Sequence, residues 1–151
     1  MSDTEGGQSL NYRATADDLA NENAIKQDLE RAWRCTLHHL PHLYHVDFYA
    51  ERDDKLVAWV EVKQRSCAST KYRTVFMNRD KKYKHLIAHA HTANAFFVVR
   101  WADDVTRFIN VFDVRQEWLT VGGELHRWGE GEHDLESVFE IPIDEMKVLP
   151  C

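Results

Sequence analysis

The sequence lacks the features of a disulfide-stabilised, membrane-spanning or nucleotide-driven protein. Its three cysteines, Cys35, Cys67 and Cys151, are an odd number at wide spacings, so they encode neither a disulfide framework nor a cysteine-rich zinc site. Its longest apolar run, residues 95–99, is far shorter than the roughly 20 residues of a membrane span, and no apolar signal segment or glycine-rich phosphate loop occurs. We therefore expect a soluble, cytoplasmic protein with no membrane partner.

An excess of basic charge is also lacking. The 151 residues carry 19 Lys and Arg against 25 Asp and Glu, a net charge of −6, which argues against a protein that coats nucleic acid by bulk charge. Hydrophobic residues make up 44%, enough for a sizeable core. We predict a flexible polar tail over residues 1–14, which contains Gly6-Gly7, and one domain over residues 15–151.

Helical periodicity follows the tail. Apolar side chains recur every three or four residues, at Ile25, Leu29, Trp33, Leu37 and Leu40. Thr15 and Asp18 have the spacing of a capping box, and Pro41 cannot continue a helix. The pattern predicts one helix over residues 15–40.

The rest of the chain alternates strand-like segments with one further helix. Strands are predicted at residues 44–51, 55–65, 74–77, 95–101, 106–112 and 138–143. A second helix is predicted from Asn78 to about residue 94, and a loop from Gly122-Gly123 to residue 136. The order α-β-β-β-α-β-β predicts a mixed α/β (α+β) domain whose central mixed sheet is flanked by helices.

Basic charge is concentrated in residues 63–84. This segment holds eight basic residues and the single acid Asp80, a charge of +7, and Tyr72 and Tyr83 lie among them. Such a segment in an acidic protein is typical of a surface that binds a polyanion, although it also suits an ordinary solvated surface. Residues 113–147, with ten acids and three bases, are expected to turn away from DNA. The predicted basic contacts with nucleic acid are Arg65, Lys71, Arg73, Arg79, Lys81, Lys82 and Lys84.

Two carboxylates and an amine are predicted to converge on the first hairpin. Glu61 and Lys63 point to the same face of their strand because side chains alternate. If residues 52–54 form a three-residue loop, Asp47 faces Trp59 and becomes the same-face diagonal neighbour of Glu61, about 7–8 Å away. Such a pair can share Mg²⁺ with waters and phosphate oxygens, while Lys63 orients the attacking water, so the pattern predicts metal-assisted hydrolysis.

A third acid lies on the apolar side of the first helix. At 100° per residue, Glu22 falls within about 60° of Ile25, Leu29 and Trp33. An inward carboxylate needs a partner, which a cation held by Asp47 would supply. The alternative is that Glu22 only reaches solvent from the first turns of the helix.

The string Glu61-Val62-Lys63, preceded by Asp47 at hairpin distance, resembles the signature of the PD-(D/E)XK nuclease superfamily, and the chain from Glu22 onward resembles small phage nuclease-like proteins. The resemblance implies a restriction-endonuclease-like α-β-β-β-α-β core. It also implies that Asp47, Glu61 and the Val62 carbonyl bind metal, that Lys63 is catalytic and that Glu22 is the helix carboxylate of some members. Val46 replaces the proline of the motif.

The resemblance implies further properties of the domain. The domain is expected to be a Mg²⁺- (or Mn²⁺-) dependent nuclease that acts on DNA. If it is phage-encoded, it is expected in the host cytoplasm, and a homodimer is one possible arrangement of the chain. Gln64 matches a polar position near the substrate, and Lys81 or Lys82 matches an auxiliary base or is a phosphate-facing surface lysine. Because the superfamily includes members that only bind, the alternative is an inactive nuclease-like domain that binds nucleic acid or a protein in a structural or regulatory role.

Histidines cluster around the predicted end of the first helix. The cluster consists of His38, His39, His42 and His45. It suits a zinc site, but the sequence favours a helix end whose dipole attracts basic side chains. His85 and His89 have metal-ligand spacing, yet Leu86 stands where a metalloprotease needs glutamate, so they are interpreted as surface histidines near DNA.

Overall fold

The computed structural model of the protein describes residues 16–123 and 135–150. The helices are α1 (Ala16–Trp33) and α2 (Lys84–His89). The strands are β1 (Thr36–His39), β2 (Phe48–Arg52), β3 (Lys55–Gln64), β4 (Thr74–Asn78), β5 (Asn94–Arg100), β6 (Thr106–Asn110), β7 (Leu119–Gly123), β8 (Leu135–Pro142) and β9 (Lys147–Val148). The predicted tail over residues 1–14 lies outside the described residues. Neither described helix is both long and apolar enough to cross a bilayer.

The strands form two sheets. The first has the order β1-β2-β3-β5-β6-β9 and is mixed, because β3 and β5 run parallel while the other neighbours are antiparallel. The second has the order β4-β8-β7. Ile25 and Leu29 of α1 pack on one face of the large sheet, and α2 and the small sheet pack on the other. The predicted mixed α/β fold with a flanked central sheet is confirmed.

The first helix is shorter than predicted. It ends at Trp33 because Arg34 has a left-handed φ of 54° and the Cys35 amide donates to the Glu30 carbonyl, the closing hydrogen bond of a Schellman motif. The side chain of Arg52 donates to the free carbonyls of Trp33 and Arg34. The apolar spacing continues beyond this point by coincidence, since Leu37 lies in strand β1.

The first hairpin has a different turn from the predicted one. Asp53 and Asp54 both have positive φ, 54° and 63°, so they form a two-residue loop with the backbone signs of a type I′ turn instead of the predicted three-residue loop. A bulge beside Ala50 and Glu51 then shifts the register by one residue. As a result Phe48 pairs with Val60, and the predicted pairing of Asp47 with Trp59 is wrong.

The segment predicted as the third strand of the main sheet belongs to the second sheet. Strand β4 pairs with β8, and its Val75 and Met77 point inward against the core. The first three strands of the large sheet are β1, β2 and β3. Strand β1 was not predicted, because its residues continue the helical spacing of α1. The family-like order of one helix, three strands, a helix and a strand is therefore met by α1, β1–β3, α2 and β5.

Two later boundaries also differ from the predictions. Helix α2 follows a π-helical turn, Arg79–Tyr83, and ends at His89, where the Thr92 hydroxyl donates to the His89 carbonyl. Gly122-Gly123 closes strand β7 instead of starting a loop, because both residues pair with β8. The last part of the predicted loop is therefore strand, while residues 124–134 lie outside the described part.

Candidate active site

The hairpin brings Asp47 and Glu61 to one side of the sheet. Since Phe48 pairs with Val60, the next residue on each strand continues the register, and Asp47 lies across from Glu61. The Oδ2 atom of Asp47 accepts a hydrogen bond of 2.8 Å from the Val62 amide, which fixes the carboxylate beside β3. The predicted same-face placement is present, but it is direct and not diagonal.

The two carboxylates share a cavity of about 500 Å³. Its lining residues are Glu22, His39, Leu40, His42, His45, Val46, Asp47, Glu61, Lys81 and Lys82. Glu22 therefore reaches the same cavity from α1, as its helical phase suggested. A larger cavity of about 660 Å³, at the C-terminal end of α1, has no acidic side chain in its lining. Of these two cavities, the one with the carboxylates is equipped for metal or acid–base chemistry.

Glu61 is a buried acid. Its residue is 2% exposed, and burial together with the negative charge of Asp47 raises the pKa of its carboxyl to about 7. The ammonium of Lys82 acts in the opposite direction and favours the charged form. A carboxylate held this way has a strong electrostatic demand for a further cation.

Among the described residues, Lys82 is the cation that pairs with Glu61. Its Nζ donates to Glu61 Oε2. From the sequence, Lys82 is expected to contact phosphate or to act as an auxiliary base, and nothing in the sequence signals its pairing with Glu61. The π-helical turn that carries Lys82 has a wider period than an α-helix, so its inward direction has no signature in 3.6-residue spacing.

Lys63 lies two residues beyond Glu61 on the same face of β3. Its Nζ donates a 2.9 Å hydrogen bond to the Phe76 carbonyl, and no carboxylate of the described residues is within ion-pair distance of it. Burial, then the positive charges of Arg65 and Lys82, lower the pKa of the Lys63 ammonium. The backbone carbonyl therefore orients the amine, which can still donate a hydrogen bond to a phosphate or a water nearby.

The donor set suits a hard divalent cation. Asp47 and Glu61 provide two carboxylates, one of them nearly inaccessible to solvent, and Mg²⁺ is commonly held by one or two carboxylates plus waters and substrate phosphates. Among the residues that the structure describes, no three His, Cys, Asp or Glu side chains converge into a ready-made cage. The ligand roles predicted for Glu22 and the Val62 carbonyl remain predictions.

Three of the four clustered histidines, His39, His42 and His45, line the cavity instead of capping a helix, while His38 pairs with Glu51. His39 lies on β1, His42 starts a short 3-10 turn, and the ring of His45 stacks on that of His85 with centroids 4.2 Å apart. The expected interaction with a helix dipole is wrong, because α1 ends before this segment. Burial first, then the neighbouring histidines, lower the pKa of His85.

The basic segment divides into paired and free side chains. Arg79 pairs with Asp80 at 3.3 Å, and Lys81 pairs with Glu136 at 3.3 Å. The acidic segment therefore does not turn away from the basic one, since β8 places Glu136 beside it. The predicted contacts that form no ion pair among the described residues are Gln64, Arg65, Lys71, Arg73 and Lys84.

The loop that carries part of this charge is anchored. The Arg65 amide donates to the Arg100 carbonyl at 2.8 Å, and Ser69 donates through its amide and hydroxyl to the Asp103 carboxylate. Lys71 and Arg73 follow directly and are exposed. The exposed bases are thus presented by a fixed loop next to the end of β3.

Comparison with known proteins concerns the family and the fold. A family model described as "Phage putative PDDEXK endonuclease" matches residues 10–149 of the chain. Among solved structures, the chain is similar to Hjc, a Holliday junction resolvase from the archaeal hyperthermophile Archaeoglobus fulgidus, with a TM-score of 0.50 and 14% identity over 86% of this chain and 94% of that chain. At this identity the likeness concerns the fold. No protein of curated function matches the chain.

Proposed function

The chain belongs to the phage PDDEXK endonuclease family, and from that premise we propose that it is a Mg²⁺- or Mn²⁺-dependent nuclease that hydrolyses phosphodiester bonds of DNA. The observation that carries the proposal is the burial of Glu61 directly beside Asp47 in an open cavity, with Lys63 on the same face of the strand. Buried like charges are costly unless a cation is shared.

Each residue has a distinct part in this proposal. Asp47 and Glu61 would hold the metal together with the Val62 carbonyl, and Glu22 would reach it through the cavity from α1. A bound divalent cation supplies a water of lowered pKa and neutralises charge on the phosphate. Lys63 would orient the attacking water and stabilise the negative charge that develops on the phosphate.

Substrate binding is assigned to Gln64 and to the basic side chains that form no ion pair among the described residues. Gln64, Arg65, Lys71, Arg73 and Lys84 would follow the phosphate backbone, and Arg79, Lys81 and Lys82 would join only if their acidic partners release them. The electrostatic contribution of such contacts does not depend on sequence. We therefore expect affinity for DNA that falls steeply with salt.

Cleavage of DNA by the purified chain tests the proposal. Supercoiled plasmid, single-stranded circles and a four-way junction are incubated with Mg²⁺, Mn²⁺ or EDTA. Cleavage is expected with metal and not with EDTA, and Lys63→Met is expected to lose about 100-fold or more in rate, the usual cost of removing one charge-stabilising group. Lys55→Met, at the exposed start of the same strand, is the matched control and should cleave normally. Equal cleavage by Lys63→Met and wild type would reject the proposed centre.

A second candidate is a nuclease-like domain that binds DNA without cutting it. The ion pair between Lys82 and Glu61 favours this reading, because a lysine already neutralises the carboxylate that a metal would need. Salt-sensitive DNA binding with no cleavage in either metal would establish this candidate instead. Absence of any DNA binding would reject both.

A further inference from the structure

A small groove lies beside the proposed catalytic lysine and has no part in the metal chemistry. Its volume is about 270 Å³. It is lined by Arg65, Tyr72, Thr74, Val75, Phe76 and Glu140. Two of these residues, Tyr72 and Phe76, are aromatic, and Arg65 directly follows the last residue of β3. It is separate from the cavity that holds Asp47 and Glu61.

Phe76 points out of the protein at this groove. On strand β4 its neighbours Val75 and Met77 are 3% and 1% exposed, whereas Phe76 is 42% exposed. Tyr72, on the anchored loop that leads into β4, is 51% exposed. A single exposed aromatic residue needs no explanation, but two that line one groove form a surface on which a flat ligand can stack.

The groove is held at the reactive centre by a backbone contact. The 2.9 Å hydrogen bond from Lys63 Nζ ends on the carbonyl of Phe76 itself. The aromatic residue therefore belongs to the same local framework as the amine that would face the phosphate. A ligand on the ring of Phe76 would be a near neighbour of the phosphate that Lys63 contacts.

The charge around the rings selects for an anionic polymer. Lys71 Nζ lies 5.5 Å from the centre of the Tyr72 ring, and Arg65 lines the groove. The acid in the lining, Glu140, accepts a hydrogen bond from the Thr74 hydroxyl. Aromatic rings interleaved with exposed Lys and Arg side chains are the arrangement that binds single-stranded nucleic acid. The nucleobases stack on the rings, and the phosphates bind the cations.

We propose that Phe76 and Tyr72 stack an unpaired nucleobase next to the phosphate that is cleaved. This inference rests on the proposed nuclease function and adds a substrate class to it. In a continuous duplex every base is already paired and stacked, so a free base face exists only in single strands, flaps, frayed ends or branches. The preferred substrate is therefore DNA that carries an unpaired nucleotide at the cleavage site.

Binding measurements with matched variants test the stacking surface. Fluorescence anisotropy in Ca²⁺ compares a single-stranded oligonucleotide, a blunt duplex and a duplex with a flap. Phe76→Leu and Tyr72→Leu are each expected to weaken binding to the single strand and flap by about 5- to 100-fold, the range for loss of one stacked base, and to leave the blunt duplex unchanged. Phe76→Tyr retains a ring and should retain binding.

A control outside the groove is available. Phe112, on the short turn after β6, is 61% exposed and does not line the groove, so Phe112→Leu should bind all three substrates normally. A 2-aminopurine at the unpaired position should be quenched by wild type and by Phe112→Leu, but not by Phe76→Leu. Thermal unfolding checks that each variant folds.

The outcomes separate this inference from the proposed function. If wild type cleaves DNA and the Phe76→Leu and Tyr72→Leu variants bind every substrate as wild type does, the stacking surface is rejected and the nuclease stands. An equal loss on the blunt duplex also rejects it, because the rings would then act without a free base. If wild type binds no nucleic acid, the nuclease itself is rejected and the stacking surface with it.

Discussion

Lys82 reaches across from the turn before α2 and pairs with the buried carboxylate of Glu61, so one oxygen of the proposed metal ligand is already bound to a cation. The amine is less exposed than its neighbour Lys81, with side-chain exposures of 42% and 73%. A metal ion and Lys82 would therefore neutralise the same charge, and the two should be partly interchangeable.

Lys82→Met should destabilise the metal-free protein. Removal of the amine leaves a buried acceptor without its donor, at a cost of about 1–3 kcal/mol in the free energy of unfolding. Because a divalent cation neutralises the same carboxylates, Mn²⁺ should restore most of the loss. Urea unfolding with and without Mn²⁺ measures both effects. Lys81→Met is the control and should change stability by less than about 0.5 kcal/mol. A Lys82→Met protein as stable as wild type without metal would contradict the pairing.

Stability should depend on the protonation of Glu61. The pKa of this carboxyl is raised from 4.5 to about 7, so the folded chain holds a proton that the unfolded chain releases between these values. The resulting stabilisation is complete below pH about 4.5 and is lost as the pH rises through about 7, an effect on the order of 1–3 kcal/mol.

Glu61→Gln isolates this effect. The variant should lose less stability than wild type between pH 5 and pH 8, because it has no proton to release at this position. Unfolding free energies at the two pH values give the difference. Glu117→Gln, at an exposed site, should keep the wild-type profile. Parallel profiles for wild type and Glu61→Gln would show that the buried carboxyl does not titrate in this range.

Asp47→Asn should preserve the fold and weaken binding of the proposed metal ion. The amide oxygen can still accept from the Val62 amide, while the negative charge that raises the Glu61 pKa is gone. The pKa of Glu61 should therefore fall, as followed by NMR titration. Calorimetry should show Mn²⁺ affinity reduced by about tenfold or more, because a proposed direct ligand should matter at least as much as an outer-shell partner, whose loss costs that much. Asp47→Ala, which leaves the amide without an acceptor, should also unfold more easily, by about 1–3 kcal/mol. Undiminished Mn²⁺ affinity in Asp47→Asn would place the metal elsewhere.

The salt dependence of DNA binding should show how many basic side chains of the anchored loop contact phosphates. Lys71→Gln and Arg73→Gln should each reduce the slope of log K against log salt on duplex DNA by about 0.9, the value for one lost phosphate contact. Lys147→Gln, on the exposed strand β9, is the matched control and should leave the slope unchanged. Wild-type slopes for both Lys71→Gln and Arg73→Gln would mean that the anchored loop does not contact phosphates.

The chemistry of the site could be predicted from the sequence more reliably than its geometry. Strand alternation placed Glu61 and Lys63 on one face, and helical phase directed Glu22 inward, because both depend on local periodicity alone. The turn type depended on whether Asp53 and Asp54 adopt positive φ, which aspartate tolerates but does not require.

Features that depend on tertiary contacts were missed. Leu37 continued the helical spacing of α1, although a left-handed Arg34, capped by Arg52 from a distant hairpin, had already ended the helix. Strand β4 had the composition of a sheet strand, but its partner β8 lies about 60 residues further along the chain. Neither relationship has a signature in neighbouring residues.

The extra residue in the first hairpin has a consequence for how such centres arise. With a regular two-residue hairpin Asp47 would stand opposite Val60, and its acid group would turn towards the helix α1 side, away from Glu61. A deletion of a single codon in this hairpin is thus enough to separate Asp47 from Glu61 while leaving the order of strands intact. Descendants of the proposed nuclease that have lost this register can accordingly retain every signature residue, and an intact motif is no guarantee that the proposed metal ligands meet.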